Sequence, residues 1–433
     1  MTTDNWQQFK EVFQSALELP PDQRPAYLDR VCTDPSLKAE LESLLFCYQG
    51  PQNASGERPG DERRAESKSP DASRDPLVET FIDHYQIIAK VGDEGSQSVY
   101  YAVRIDGSEL KQIVVKLAKT NAGLPIHLGK KQKLSLMGIQ HPNIARFLDA
   151  GVNKDGRCYF VTDYFEGVPI DQYCDSNKLA TRARIVLFLK VCQTVQYGHE
   201  HFVAHGSLTA RHIIVDKNGT PKVLDLGMSG LLDGEQVHSA DDFQMSANAA
   251  ILEYASPGQI RGEPIVAADD VYSLGVLFYQ LLTSESPYRV KGGGKDELVP
   301  AIFEAIRPSK VLGHIGEQTG TDGRKTAQTS RFLDDRRNET TRTVRKLLAG
   351  DLDSIVLKAI QKDPSKRYRS IEQFEADIQR YLEDRPVSSR KMTFFYRADK
   401  FIKRHKAAAI AIGFLLTALG AACILLLDSS PLR

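Results

Sequence analysis

The chain has no excess of charge of either sign. Its 56 lysines and arginines balance 56 aspartates and glutamates, so nothing in the charge favours nucleic acid or another polyanion as a general partner. A C-x-x-C pair is also missing. The six cysteines, Cys32, Cys47, Cys158, Cys174, Cys192 and Cys423, are scattered along the chain. That argues against a disulfide framework or a zinc site and fits reduced thiols in a cytosolic compartment. The N-terminus, MTTDN, is polar, which argues against a cleaved secretory signal. With 433 residues there is enough chain for two or more domains and a large buried core.

One stretch departs from this mixed composition. Residues 407–427 contain no charged side chain and are rich in Ala, Leu and Ile. At about 1.5 Å per residue they reach about 30 Å, the thickness of a bilayer core. Arg397, Lys400, Lys403, Arg404 and Lys406 crowd the N-terminal side, and only residues 428–433 follow. The positive-inside tendency therefore predicts a single-pass helix in the inner, cytoplasmic membrane, with everything before it in the cytoplasm. The alternative is a buried core helix. With so short a tail, a ligand-sensing ectodomain of the chain's own is not expected.

Composition divides the rest. Residues 1–48 read as a helical module. Asp4 can cap a helix through Trp6, Phe9, Val12, Phe13, Ala16 and Leu17, which share one face. Pro20 and Pro21 end it, and leucine-rich spacing continues into two further helices. The apolar face is read either as a small core or as a docking face for a partner. Residues 49–78 are polar and rich in Pro, Gly and charge, the composition of a flexible linker. Residues 79–385 open with short β-rich runs at 85–91, 98–104 and 112–117, and helical patterns dominate after about Asp171. This predicts an α+β domain with a small β-rich lobe and a larger helical lobe. A Gly-, Thr- and Lys-rich stretch, about 291–345, is expected to be a long loop. Residues 386–406 form a basic segment before the predicted span.

Several motifs follow in order: IVVK at 113–116, HPNIAR at 141–146, HGSLTARHIIV at 205–215, VLDLG at 223–227, YASP at 254–257, DVYSLG at 270–275 and KDPSKRY at 362–368. Over roughly residues 85–382 they resemble the protein kinase family, above all the bacterial serine/threonine kinases of the transmembrane type. The resemblance implies the two-lobed protein-kinase fold. It assigns Lys116 to the ATP phosphates and Gly92, Val99 and Val114 to the nucleotide pocket, with Asp225 as a magnesium ligand. The lesser alternative for Lys116 is a surface lysine at a strand end. Leu136, Phe147, His205 and Leu226 fall on the family's packed spine, and Asp270 falls where an aspartate anchors the catalytic loop.

The same comparison shows losses. The family's catalytic loop reads H-R-D-L-K-x-x-N. Here Ser207 replaces the catalytic Asp, Thr209 the Lys and His212 the Asn. A neutral hydroxyl is no base near pH 7, and an imidazole suits a hard cation poorly. Glu94 and Gln97 replace two glycines of G-x-G-x-x-G, and Asp93 with Glu94 puts negative charge where phosphates belong. Gln132 stands for the helix glutamate that pairs with the lysine, Ile251 for a threonine, and Gly258 for the glutamate that pairs with Arg367. A metal cluster of His199, His201, His205 and His212 is not expected.

The expectation is a membrane-anchored cytoplasmic pseudokinase that acts as a scaffold or regulator. It would need no cofactor, and it would bind a protein partner such as an active kinase of the same type. The alternative is an ATP-binding serine/threonine kinase, using magnesium, with residual or altered transferase activity. In a third reading the domain is a passive body presenting the N-terminal helices. Ser239 and Ser246 are read as phosphorylation sites or as ordinary loop serines.

Overall fold

The computed structural model describes residues 75–105, 111–119, 130–228, 249–288, 305–317 and 339–405, together with residues 12, 15–16, 19–20, 23–32, 38, 41, 417–418 and 420. Two lobes are built from these. The smaller holds an antiparallel sheet of β1 (Phe81–Ile82), β2 (Tyr85–Glu94), β3 (Gln97–Arg104), β4 (Lys111–Ala118), β5 (Phe147–Val152) and β6 (Cys158–Asp163), in the order β1-β2-β3-β4-β6-β5. Val, Ile and Tyr dominate its central strands, as a pleated, buried surface favours. One helix, Lys130–Met137, lies beside β5, and its Lys133 bonds Asp149 and the Ala150 carbonyl there.

Alternation along β2 and β3 gives the sheet two apolar faces. Ile87, Tyr100 and Ala102 join Ile113, Val115 and Val161 in one cluster. On the other, Ile88, Ala89, Tyr101 and Val103 cluster with Val12, Ala16, Leu28 and Leu41 from the N-terminal segment. Among the described residues, Arg24–Val31 is helical. The N-terminal apolar positions described are therefore covered by the chain's own small lobe. The linker also ends earlier than expected, because Asp75 already accepts bonds from Tyr100 and the Leu77 amide at 3.1 and 3.0 Å.

The larger lobe is helical, with a small sheet of Val168–Pro169, Ile213–Val215 and Pro221–Val223 under the cleft. Its central helix, Ala267–Thr283, is apolar around most of its circumference and buried along nearly all its length, as such a helix must be. Gly275 allows a close approach to the chain at Ile360: a Cβ there would sit 2.7 Å from Ile360 Cγ2. Phe188 of the helix Thr181–Glu200 stacks on Phe278 at 4.5 Å between ring centroids. The stretch 291–345 is not one loop. It contains the helix Pro308–Glu317 and the start of Thr341–Leu347. Leu312 reaches the core, and Asp353 accepts the Ser309 amide at 2.9 Å. The polar composition around this helix concealed a short apolar pair, Val311 and Leu312.

A further helix, Phe394–Arg404, occupies the predicted basic segment and docks on the large lobe. Among the described residues, no helix is long and apolar enough to cross a membrane. The predicted span, its tail, Ser239 and Ser246 lie outside the described residues, apart from 417, 418 and 420.

Candidate functional site

Strand register decides what the glycine-rich loop does. Gly92 pairs with Val99, and Val99 with Lys116, so these three share one face of the sheet. Glu94, two residues beyond Gly92, points to the same side. The hairpin turns at Gly95, whose φ of +54° suits glycine. Asp93 falls on the other face. It accepts from Ser98 at 2.7 Å and faces Lys90 and Lys119 at 3.2 and 3.5 Å. The negative charge beside the phosphate position is thus Glu94 alone of the two, which corrects the expectation from sequence.

Lys116 is buried in the cleft and is no surface lysine. Its Nζ donates to Glu94 Oε2 at 2.5 Å and to Asp225 Oδ2. In the family pattern the lysine pairs with a helix glutamate. Here that position is Gln132, and the glycine-loop Glu94 supplies the carboxylate instead. Burial disfavours the ammonium, but Asp225 and then Glu94 outweigh it and hold its pKa above the ordinary lysine value. Burial likewise opposes ionisation of Asp225, and Lys116, ahead of His212, overrides it to lower the pKa. The three groups form one cluster, with a fixed cation between two carboxylates.

Glu94, His212 and Asp225 also bring three donor atoms within 4.8 Å of one another. Asp225 Oδ1 is buried without a hydrogen-bond partner. These residues do not fit magnesium. Lys116 already occupies the cation position between the carboxylates, and the third donor is an imidazole nitrogen 3.7 Å from Asp225 Oδ2, where a hard cation wants oxygen. Burial keeps the His212 pKa below the ordinary value despite Asp225 and Glu94. Thr209 Oγ1 lies 3.2 Å from His212 Nδ1. The residues at the family pattern's Lys and Asn positions therefore bond each other.

The frame around them is intact. Asp270 accepts the His205 and Gly206 amides at 2.7 and 2.8 Å and the His199 ring at 2.7 Å. His205 bonds the Leu224 carbonyl at 2.9 Å. Burial, then His212, pushes its pKa down to about 4, so it is neutral at pH 7. Leu136, Phe147 and Leu226 pack in one cluster. Val99 is buried, and Val114 and Ile214 are partly so. Asp225 adopts φ +58° and Gly227 φ +75°. A Cβ on Gly227 would lie 2.4 Å from Val203 Cγ1. The four histidines do not form one metal set, since His199 serves Asp270 and His201 bonds the Tyr197 carbonyl at 2.8 Å.

Arg367 has found new partners. It donates to the carbonyls of Gln361, Ala268 and Lys362 at 2.6, 3.0 and 3.2 Å. Asp269 is 3.6 Å away, and the guanidinium lies over the Tyr272 ring. Gly258 leaves room for Glu263, whose Oε2 would be 2.8 Å from a Cβ there. Gln259, beside it, donates to the Gly206 carbonyl at 2.5 Å and ties the short helix Pro257–Ile260 to the catalytic loop. Sequence reasoning missed the Glu94–Lys116 pair, although the alternation from Gly92 would have shown it.

The protein kinase domain model matches residues 85–377. The serine/threonine-protein kinase PknB of Mycolicibacterium smegmatis is 26% identical over 269 residues, 61% of this chain and 37% of that protein. PrkC of Bacillus subtilis is 24% identical over 313 residues, 71% of this chain and 42% of that protein. The chain thus spans about two fifths of the length of these curated relatives. Among solved structures, the PknI kinase domain of Mycobacterium tuberculosis aligns with a TM-score of 0.45 at 13% identity, over 70% of this chain and 98% of that one. The chain belongs to the protein kinase family, with bacterial serine/threonine kinases as its homologues.

Proposed function

We propose that this domain is a pseudokinase: it transfers no phosphate and works as a scaffold or regulator anchored to the cytoplasmic membrane by residues 407–427. The observation that carries this reading is Glu94 held on Lys116 at 2.5 Å. The phosphate-binding lysine is neutralised from inside by the loop that should close over ATP. Ser207 offers no base, a group that contributes typically about 10²–10⁴ in rate, and His212 with Thr209 replaces the remaining polar machinery. The uncharged run and its basic flank support the anchor. The intact Asp270 frame supports a rigid body suited to holding a partner, such as an active kinase of the same type.

A second reading, an ATP-binding serine/threonine kinase with residual or altered transferase activity, draws on one specific feature. Lys116 and Asp225 are still in direct contact. Co-reconstitution with an active membrane serine/threonine kinase separates the two. The wild-type chain and the Lys116→Ala/Asp225→Ala double variant should change that kinase's activity equally. An effect lost in the double variant would favour the enzymatic reading.

A further inference from the structure

The helix Phe394–Arg404, here α1, has two faces of opposite chemistry, and the domain satisfies one of them. Tyr396 and Lys400 lie on the same side. Lys400 Nζ bonds Asp351 Oδ2 at 2.6 Å, with both side chains 7% exposed. The Tyr396 hydroxyl donates to Asp351 Oδ1 and accepts from the Val387 amide, both at 3.0 Å. Arg390 adds a third contact to Asp351 at 2.7 Å. Burial opposes ionisation of Asp351, and Lys400 and Arg390 override it, lowering its pKa. This lock ties α1 to the distorted turn Leu348–Leu352 of the large lobe.

The opposite arc, about 120° wide, holds Phe394, Phe395, Ala398, Phe401 and Ile402. Its four large side chains are 80, 84, 50 and 53% exposed. Arg397, Lys403 and Arg404 are also exposed on the helix and Lys391 just before it, against two exposed acids, Asp399, which pairs with Lys403 at 2.9 Å, and Asp384, 3.9 Å from Lys400. An apolar stripe with basic flanks suits the headgroup layer of an anionic membrane. The uncharged stretch starts at residue 407, three positions past the helix end. A chain that enters the bilayer there brings α1 to its surface.

We infer that α1 lies in the headgroup layer of an anionic bilayer, with Phe394, Phe395, Phe401 and Ile402 turned toward the acyl chains. The inference rests on reading residues 407–427 as a membrane span. Through Asp351 the large lobe is then held against the membrane at a set orientation instead of swinging on a flexible tether.

The chain has a single tryptophan, Trp6, so a Trp6→Phe background accepts one reporter. The full chain is reconstituted into vesicles of equal parts phosphatidylcholine and phosphatidylglycerol, with Phe395→Trp or, as control, Val152→Trp on the small lobe. An alkaline wash followed by flotation reports integration. Spin-labelled lipids report depth. The expected result is retention in the vesicles, with blue-shifted emission at position 395 quenched by roughly half, and no quenching at 152. Release by the wash overturns the span and the inference together. Retention with an unquenched, water-exposed Trp at 395 overturns the inference alone. So does an unquenched but blue-shifted Trp that reddens when the chain is diluted in the vesicles, which would mean the face pairs with a second copy.

Discussion

Replacing Glu94 should open the cleft to nucleotide. In the folded domain Lys116 is 5% exposed and Glu94 is 32% exposed, at 2.5 Å. Such a pair lies between an exposed bridge, worth about 0–1 kcal/mol, and a buried one, whose breaking costs about 3–5 kcal/mol. We take about 1–2 kcal/mol for the contact that incoming phosphates must displace, which is roughly 5–30-fold in affinity. Loss of a carboxylate facing a polyanion adds to this with the same sign. Lys116 keeps Asp225 in the variant, so the fold should lose no more than about 2 kcal/mol. Glu94→Gly and Glu94→Gln should therefore both bind ATP about tenfold or more tightly than the wild type. The measurement is calorimetric titration of the full chain in detergent, with Lys116→Ala as the blank. Equal affinities for all four proteins, or weaker binding in both Glu94 variants, would refute the reasoning.

Other consequences follow from the same geometry. Restoring the base alone, Ser207→Asp, should yield no phosphotransfer. Glu94→Gly with Ser207→Asp, Thr209→Lys and His212→Asn should give detectable transfer to a generic substrate, read by isotope incorporation. Asp270→Ala leaves two buried amides without their acceptor and should cost about 2–4 kcal/mol of stability, seen as a lower urea midpoint with an unchanged slope. His205 is held down to about 4 by burial, against about 6.5 when unfolded. Its contribution to stability is present above pH 6.5 and is lost as the pH falls toward 4. By pH 5 the loss is about 2 kcal/mol, with His212 adding in the same direction. Urea titrations across this range should show it, and His205→Phe should flatten the slope.

Much of the domain was legible because its signals are local or ordered. The motif order points to Lys116, the catalytic loop, Asp225 and Asp270, which the fold brings into contact as two pairs, Lys116 with Asp225 and the loop with Asp270, and the apolar positions Leu136, Phe147 and Leu226 pack together. What escaped depends on register and on long-range partners. Composition alone does not separate Glu94 from Asp93, whereas the pairing of Gly92, Val99 and Lys116 across three strands sets which loop carboxylate enters the cleft. The substitute partners of Arg367 are mostly backbone carbonyls, which no residue type announces. Asp351 sits 49 positions before Lys400 along the chain, so the basic segment gave no sign of the lock that orders it. The helix Pro308–Glu317 was hidden by the polar residues on both sides of it.

The central claim is that the fold is kept and the chemistry is lost. It is tested most directly by incubating the purified full chain with magnesium and isotope-labelled ATP, alone and with a generic protein substrate. The account predicts no labelling above that of Lys116→Ala/Asp225→Ala. Phosphorylation of itself or of the substrate, abolished in that double variant, would contradict it.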